Sequence, residues 1–313
     1  MTEMNPRTTP AERALSALVA TGLALTLASC SSDGQDTGVV VTTNILGDIT
    51  ERIVGDQARV TVLMKPDTDP HSFAISAQEA ATLENASLVV HNGLGLEEGV
   101  AHNVTAAAEE GVAALEVGAG VDPLPYTSDE SEGEPDPHFW TDPERVLMAV
   151  DLITESVIEE VGGVDADTVR ANAEAYAAEV AELDTWMGEE FAALPRENRR
   201  LVTNHHVFGY LADRYDFEVI GAVIPSGTTL ASPSTSDLKE LSDAVAEAGV
   251  SAVFADSSQP DRLATVMAEE AGVEIEVIPL FSESLSAEGE GAETYLEMMR
   301  SNTEAITAGL GAS

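Results

Sequence analysis

One cysteine, Cys30, occurs in the 313 residues, which excludes an intrachain disulfide and any cluster of thiolates around a metal. Lysine is almost as scarce: Lys65 and Lys239 stand beside twelve arginines, against 56 acidic residues, for a formal charge of −42. A chain so poor in cations has no positive footprint with which to displace counterions. Nucleic acid is therefore not an expected partner, and the folded surface is not expected to adhere to anionic lipid. Most of the charge reads as a solvated acidic surface rather than as a functional device. The apolar share of 44% is ordinary for a chain that buries large cores, which separates it from disordered acidic sequences. Enzyme signatures are missing too. There is no His-Glu-x-x-His, no Gly-x-Ser-x-Gly, no phosphate loop and no dinucleotide fingerprint, so no catalytic residue is expected.

Long apolar runs are also lacking. The longest, residues 14–27, is short for a membrane span. It follows Arg7 and Arg13 and ends in Leu27-Ala28-Ser29-Cys30, which resembles a bacterial lipobox. The resemblance implies a signal peptide over 1–29, lipidation of Cys30 and a polar tether over 30–38. The protein is then expected outside the cytoplasm, held to the cell membrane by its lipid.

From residue 39 onward short β-branched runs alternate with helical stretches. Strands are expected at 39–42, 60–64, 88–90, 201–203, 217–223, 252–254 and 274–278, with helices between them. Such alternation predicts parallel sheets with helices on their faces and ligands at the carboxyl ends of the strands. The longest helical pattern, 165–193, carries Val169, Ala173, Tyr176, Val180, Leu183 and Met187 at steps of four and three, the mark of one buried face. The fold class expected is α/β: two βα lobes, 39–164 and 195–313, joined by one long rigid helix over 165–194.

Six histidines exist, and their placement is informative. Asp69-Pro70-His71 and Asp136-Pro137-His138 are the same tripeptide, each followed by aromatic residues (Phe73; Phe139 and Trp140). Proline stiffens itself and the residue before it, so each histidine projects from a restrained loop, as a metal ligand should. His205 directly follows the strand at 201–203. His91 and His102 read as structural, and His206 is expected to point elsewhere from a helix start.

Several further segments carry a resemblance. Val62-Leu63-Met64-Lys65-Pro66 before Asp69-Pro70-His71, His91-Asn92-Gly93-Leu94-Gly95-Leu96-Glu97, His138-Phe139-Trp140-Thr141-Asp142-Pro143, Asn204-His205-His206-Val207-Phe208-Gly209-Tyr210 and Phe281-Ser282-Glu283-Ser284-Leu285 occur in that order. Together they resemble the cluster 9 (A-I) substrate-binding proteins of zinc and manganese ABC importers, over essentially all of 39–310. The resemblance implies a C-clamp with the ion between lobes, held by His71, His138, His205 and a carboxylate. That carboxylate falls on Glu283, where many relatives have Asp, with Asp256 as the competing ligand or as a residue orienting one. It further implies one ion per chain, a monomer, and delivery to the membrane permease of an ABC importer. Three imidazoles and a carboxylate favour Zn²⁺, with Mn²⁺ as the alternative. A secreted zinc hydrolase is the competing functional class, requiring an open coordination position and a general base.

Overall fold

The computed structural model describes residues 38–128, 131–270 and 275–311. The leader expected at 1–29, Cys30 and all of the 30–38 tether except Gly38 lie outside them.

The first lobe runs β1 (Val39–Val41), α1 (Asn44–Val54), β2 (Val60–Val62), α2 (Ala77–Glu84), β3 (Leu88–His91), α3 (Glu98–Glu109), β4 (Ala113–Glu116) and the short α4 (Val117–Gly120). Its four strands are all parallel in the order β2-β1-β3-β4. A 3₁₀ turn (Phe139–Thr141) then leads to α5 (Pro143–Glu160), capped by the Asp142 carboxylate with Pro143 in the first turn. After it comes α6 (Ala166–Ala193), capped by Asp165.

The second lobe repeats the scheme: β5 (Arg200–Thr203), α7 (Gly209–Tyr215), β6 (Glu218–Ala222), α8 (Thr235–Ala248), β7 (Ala252–Asp256), α9 (Arg262–Glu270), β8 (Glu276–Leu280) and α10 (Tyr295–Gly311). The order is β6-β5-β7-β8, again all parallel. The molecule is an α/β protein of two such lobes.

The inner strands of each sheet, β1 and β3, β5 and β7, are buried on both faces, which is why they read as nearly unbroken apolar runs, while the edge strands β2, β4, β6 and β8 are partly exposed. Val39 and Val41 turn into one cluster and Val40 into another, as the two-residue period of a strand requires. The larger cluster passes through both lobes. It joins Val41 and Val90 of the first sheet to Leu201, Phe254 and Leu280 of the second, by way of the buried stripe of α6 from Val169 to Phe191. The remaining clusters belong to one lobe each. Twenty-eight helical residues give α6 a length of about 42 Å at ~1.5 Å per residue.

Two local expectations differ from the structure. The helix expected from His206 begins at Gly209. Long-range bonds hold the intervening chain irregular, since the Ser226 carbonyl accepts the His206 N–H at 3.1 Å. The last strand lies two residues later than its apolar run suggests, because it pairs in register with β7, Ala252 opposite Glu276 and Asp256 opposite Leu280. Pro279 is tolerated there because β8 is an edge strand. Among the described residues, no helix is long and apolar enough to cross a membrane.

Candidate metal centre

The two Asp-Pro-His loops make the same local structure. In each, the aspartate Oδ1 accepts the N–H of the histidine two residues on, at 2.9 Å in both. This Asx-type turn fixes the histidine backbone through a bond that spans only two residues. His71 comes from the loop after β2, His138 from the loop leading into the 3₁₀ turn, His205 from just beyond β5 and Glu283 from just beyond β8. The structure brings these four together. One ligand-type atom from each lies within 4.8 Å of the others, and all four side chains are buried.

Glu283 Oε1 is 3.1 Å from His205 Nε2 and 3.4 Å from His138 Nε2; its Oε2 is 3.8 Å from His71 Nε2. The Nε2 atoms of His71 and His138 are 3.4 Å apart. His138 Nδ1 faces Asp136 Oδ1 at 2.7 Å, and His205 Nδ1 faces Asn204 Oδ1 at 3.2 Å. A carboxylate or amide oxygen there takes the ring N–H, which leaves the Nε2 lone pair of each ring aimed at the cluster.

These contacts are not ion pairs in the metal-free protein. Burial pushes the His71 imidazole down to about 2 and holds His138 and His205 below their ordinary value. Burial, then the neighbouring Asp256, Asp69 and Asp136, pushes Glu283 well up. Neutral rings and a proton-retaining carboxyl are the outcome. Both Glu283 oxygens and His205 Nε2 are buried without a hydrogen-bond partner. Buried polar atoms without a hydrogen-bond partner are costly, and a cation that takes the place of the Glu283 proton satisfies all of them at once. Three imidazole nitrogens and a carboxylate are the donor set of a borderline transition-metal dication.

Residues 39–309 match the family described as the periplasmic zinc-uptake complex component A, ZnuA. The chain belongs to this family. It is 30% identical over 294 residues to the manganese-binding lipoprotein MntA of Halalkalibacterium halodurans, covering 94% of this chain and 95% of that protein. It is 29% identical over 286 residues to the zinc-binding protein TroA of Treponema pallidum, covering 90% of each. The solved structure of TroA aligns with a TM-score of 0.80 at 28% identity, over 88% of this chain and 99% of that one. A manganese-bound periplasmic metal-binding protein of Candidatus Liberibacter asiaticus aligns with a TM-score of 0.77 at 25% identity, over 88% and 99%.

In this ZnuA-family chain the remaining expected residues fall outside the four. Asp256, at the end of β7, accepts bonds from the Ser258 N–H at 2.8 Å and from the hydroxyls of Ser258 and Ser282. Its oxygens are occupied in holding the chain next to Glu283. His206 packs beside the Tyr126 ring, His91 lines a cavity of the first lobe, and His102 is exposed on α3. Three contributors had no recognised signal in the sequence. Tyr126, from the loop that precedes Asp136-Pro137-His138, places its hydroxyl 3.3 Å from His138 Nδ1 and donates to the Gly227 carbonyl at 3.2 Å. A Cβ at Gly227 would meet that hydroxyl at 2.2 Å, so only glycine fits. Asn44 and Ser284 pin the lobes together beside Glu283, with Asn44 donating to the Ser284 hydroxyl at 2.7 Å and accepting from the Leu285 N–H at 3.0 Å. The Asp of each Asp-Pro-His loop was visible, and its repetition was the signal for the turn it makes.

Proposed function

We propose that this chain captures one divalent transition-metal ion outside the cytoplasm and hands it to the membrane permease of an ABC importer. The ligands in this reading are His71, His138, His205 and Glu283, two from each lobe. The observation that carries it is the set of buried, unpartnered donor atoms, His205 Nε2 and both Glu283 oxygens, converging with two further imidazoles. Family membership supplies the transport context. Zn²⁺ is the preferred ion, because neutral imidazoles suit it better than they suit Mn²⁺, which favours oxygen. Mn²⁺ is the second reading, favoured by the manganese-binding name of a relative 30% identical over nearly the whole chain. A hydrolase is disfavoured because catalytic zinc keeps an open position for water, whereas here four donors close on one buried point. The division into a leader (1–29), a tether (30–38), lobes at 39–164 and 195–313 with a linking helix (165–194), lipidation at Cys30 and a monomeric state belong to the same proposal.

Metal analysis of the purified chain, with competition titrations of Zn²⁺ against Mn²⁺, tests the core of it. One ion per chain, with tenfold or greater loss of affinity in His205→Ala, is expected. A wild type that binds neither ion overturns the reading, and a wild type that prefers Mn²⁺ overturns the choice of zinc. For the anchor, Cys30→Ala should appear in the soluble fraction of the cells; retention on the membrane like wild type rules out lipidation at Cys30.

A further inference from the structure

The seam between the lobes is built differently on its two sides. On one side the apolar cluster threaded by α6 is continuous across both lobes, and buried hydrogen bonds reinforce it. Besides the Asn44 pair, the Trp140 indole N–H donates to the Ser282 carbonyl at 2.9 Å, and the Tyr295 hydroxyl donates to the Trp140 carbonyl at 2.9 Å. On the other side the second lobe reaches over the cluster with residues 226–230 and with Gln259, both anchored to β6, β7 and their helices. The smaller apolar cluster of the second lobe, with Val223 just after β6 and Ala255 on β7, the strands that lead to those elements, contains no residue of the first lobe. Beside the packing of the Tyr126 ring near Gly227 and His206, hydrogen bonds cross the seam there. The Thr229 hydroxyl donates to Asp69 Oδ2 at 2.6 Å and the Gln259 amide donates to the same oxygen at 2.9 Å. Gly227 donates to the Ser131 hydroxyl at 3.2 Å and accepts from Tyr126.

We infer that residues 226–230 together with Gln259 form the gate through which the ion enters and leaves, and that Asp69 is its latch. This rests on the reading of the four buried residues as an ion site. Asp69 is suited to the task because its two oxygens serve opposite lobes. Oδ1 holds the His71 N–H within the first lobe, while Oδ2 collects Thr229 and Gln259 from the second. Polar contacts of this kind exchange for water at small net cost, whereas parting the apolar side would expose core. The seam therefore opens first at Asp69, and the α6 side acts as the hinge. Thr229 and Gln259 are positioning residues, touching the latch and not the ion.

The test is stopped-flow release of Zn²⁺ to a chelator from the full-length chain in detergent, repeated with Mn²⁺, beside equilibrium titration and thermal melting. Thr229→Val and Gln259→Ala should each speed release about tenfold, with the double variant faster still and the association rate unchanged or higher. Thr229→Ser, which restores the hydroxyl, should return release to within twofold of wild type. Tyr295→Phe, which removes a hydrogen bond on the α6 side away from the four converging residues, should lower the melting temperature and leave the release rate within twofold. The gate is overturned if the double variant releases metal at the wild-type rate, or if Tyr295→Phe speeds release as much as the double variant does. If wild type binds neither ion at equilibrium, the ion-site reading fails first and the gate falls with it; normal binding with unaltered release overturns the gate alone.

Discussion

Asp136 holds His138 with a single oxygen, accepting the backbone N–H at 2.9 Å and facing ring Nδ1 at 2.7 Å. That one atom sets both where the residue sits and which ring nitrogen is left for the ion. Burial raises Asp136 to about 7, so its charge near neutrality is itself sensitive to a cation beyond the ring.

Asp136→Asn keeps the shape of the turn and weakens the polarisation of His138. Zn²⁺ affinity should fall by about 10–100-fold, read by chelator competition. Asp256→Asn should cost less than Glu283→Gln, because Asp256 acts through Ser258 and Ser282 while Glu283 contributes the only carboxylate among the four converging side chains. His102→Ala should change nothing. A silent Glu283→Gln beside an inactive Asp256→Asn would reverse the assignment of the fourth ligand.

Glu283→Gln should also stabilise the metal-free protein at neutral pH. In the folded, empty site burial holds the Glu283 carboxyl above its ordinary value of 4.5. The unfolded chain gives up that proton first, so this group's contribution to stability is lost as pH rises from about 4.5 toward the folded pKa. Thermal melts in excess chelator should show the advantage of the glutamine variant growing from pH 4.5 to 7. Adding Zn²⁺ should raise the wild-type melting temperature and leave the variant unmoved. A glutamine variant less stable than wild type at pH 7 without metal would contradict this account.

Metal uptake should release protons at pH 6–7, from the raised carboxyls of Glu283 and Asp136. Burial already keeps the three imidazoles neutral there, so they have no proton to lose. Affinity should therefore increase with pH across this range. Titration calorimetry in two buffers of different ionisation enthalpy counts the protons, and a count near three would mean that the rings titrate in the empty site.

Asn44→Ala leaves the Leu285 N–H without its buried acceptor and the Ser284 hydroxyl with only one of its two donors, the Thr68 N–H, and should cost about 2–3 kcal/mol in chemical denaturation. Asn44→Asp, which keeps only the acceptor, should fall between wild type and alanine.

Much of this architecture was legible from residue 39 onward, because strands buried on both faces and a helix with one buried stripe leave periodic marks. The paired Asp-Pro-His loops were legible for a similar reason: proline and an Asx turn act within three residues. Glu283 came through resemblance alone, since nothing in Ser282-Glu283-Ser284 distinguishes it from the other acidic residues of so acidic a chain. Asn44, Thr229 and Gln259 were illegible, because their partners lie 160–241 positions away and such bonds impose no local pattern. The start of α7 was misjudged by three residues on the same ground, since the bond from His206 to Ser226 outweighs local helix preference.

The stripe along α6 has a calorimetric consequence. Val169, Tyr176, Leu183 and Phe191 belong to one apolar cluster with strands of both sheets, so neither half can melt while the other keeps its core. Heat should produce a single absorption peak in spite of the two sheets, and a core substitution in either half should shift that whole peak. Chains cut at residue 164 or 194 should behave as complementing fragments, each collapsing poorly alone and regaining structure when mixed.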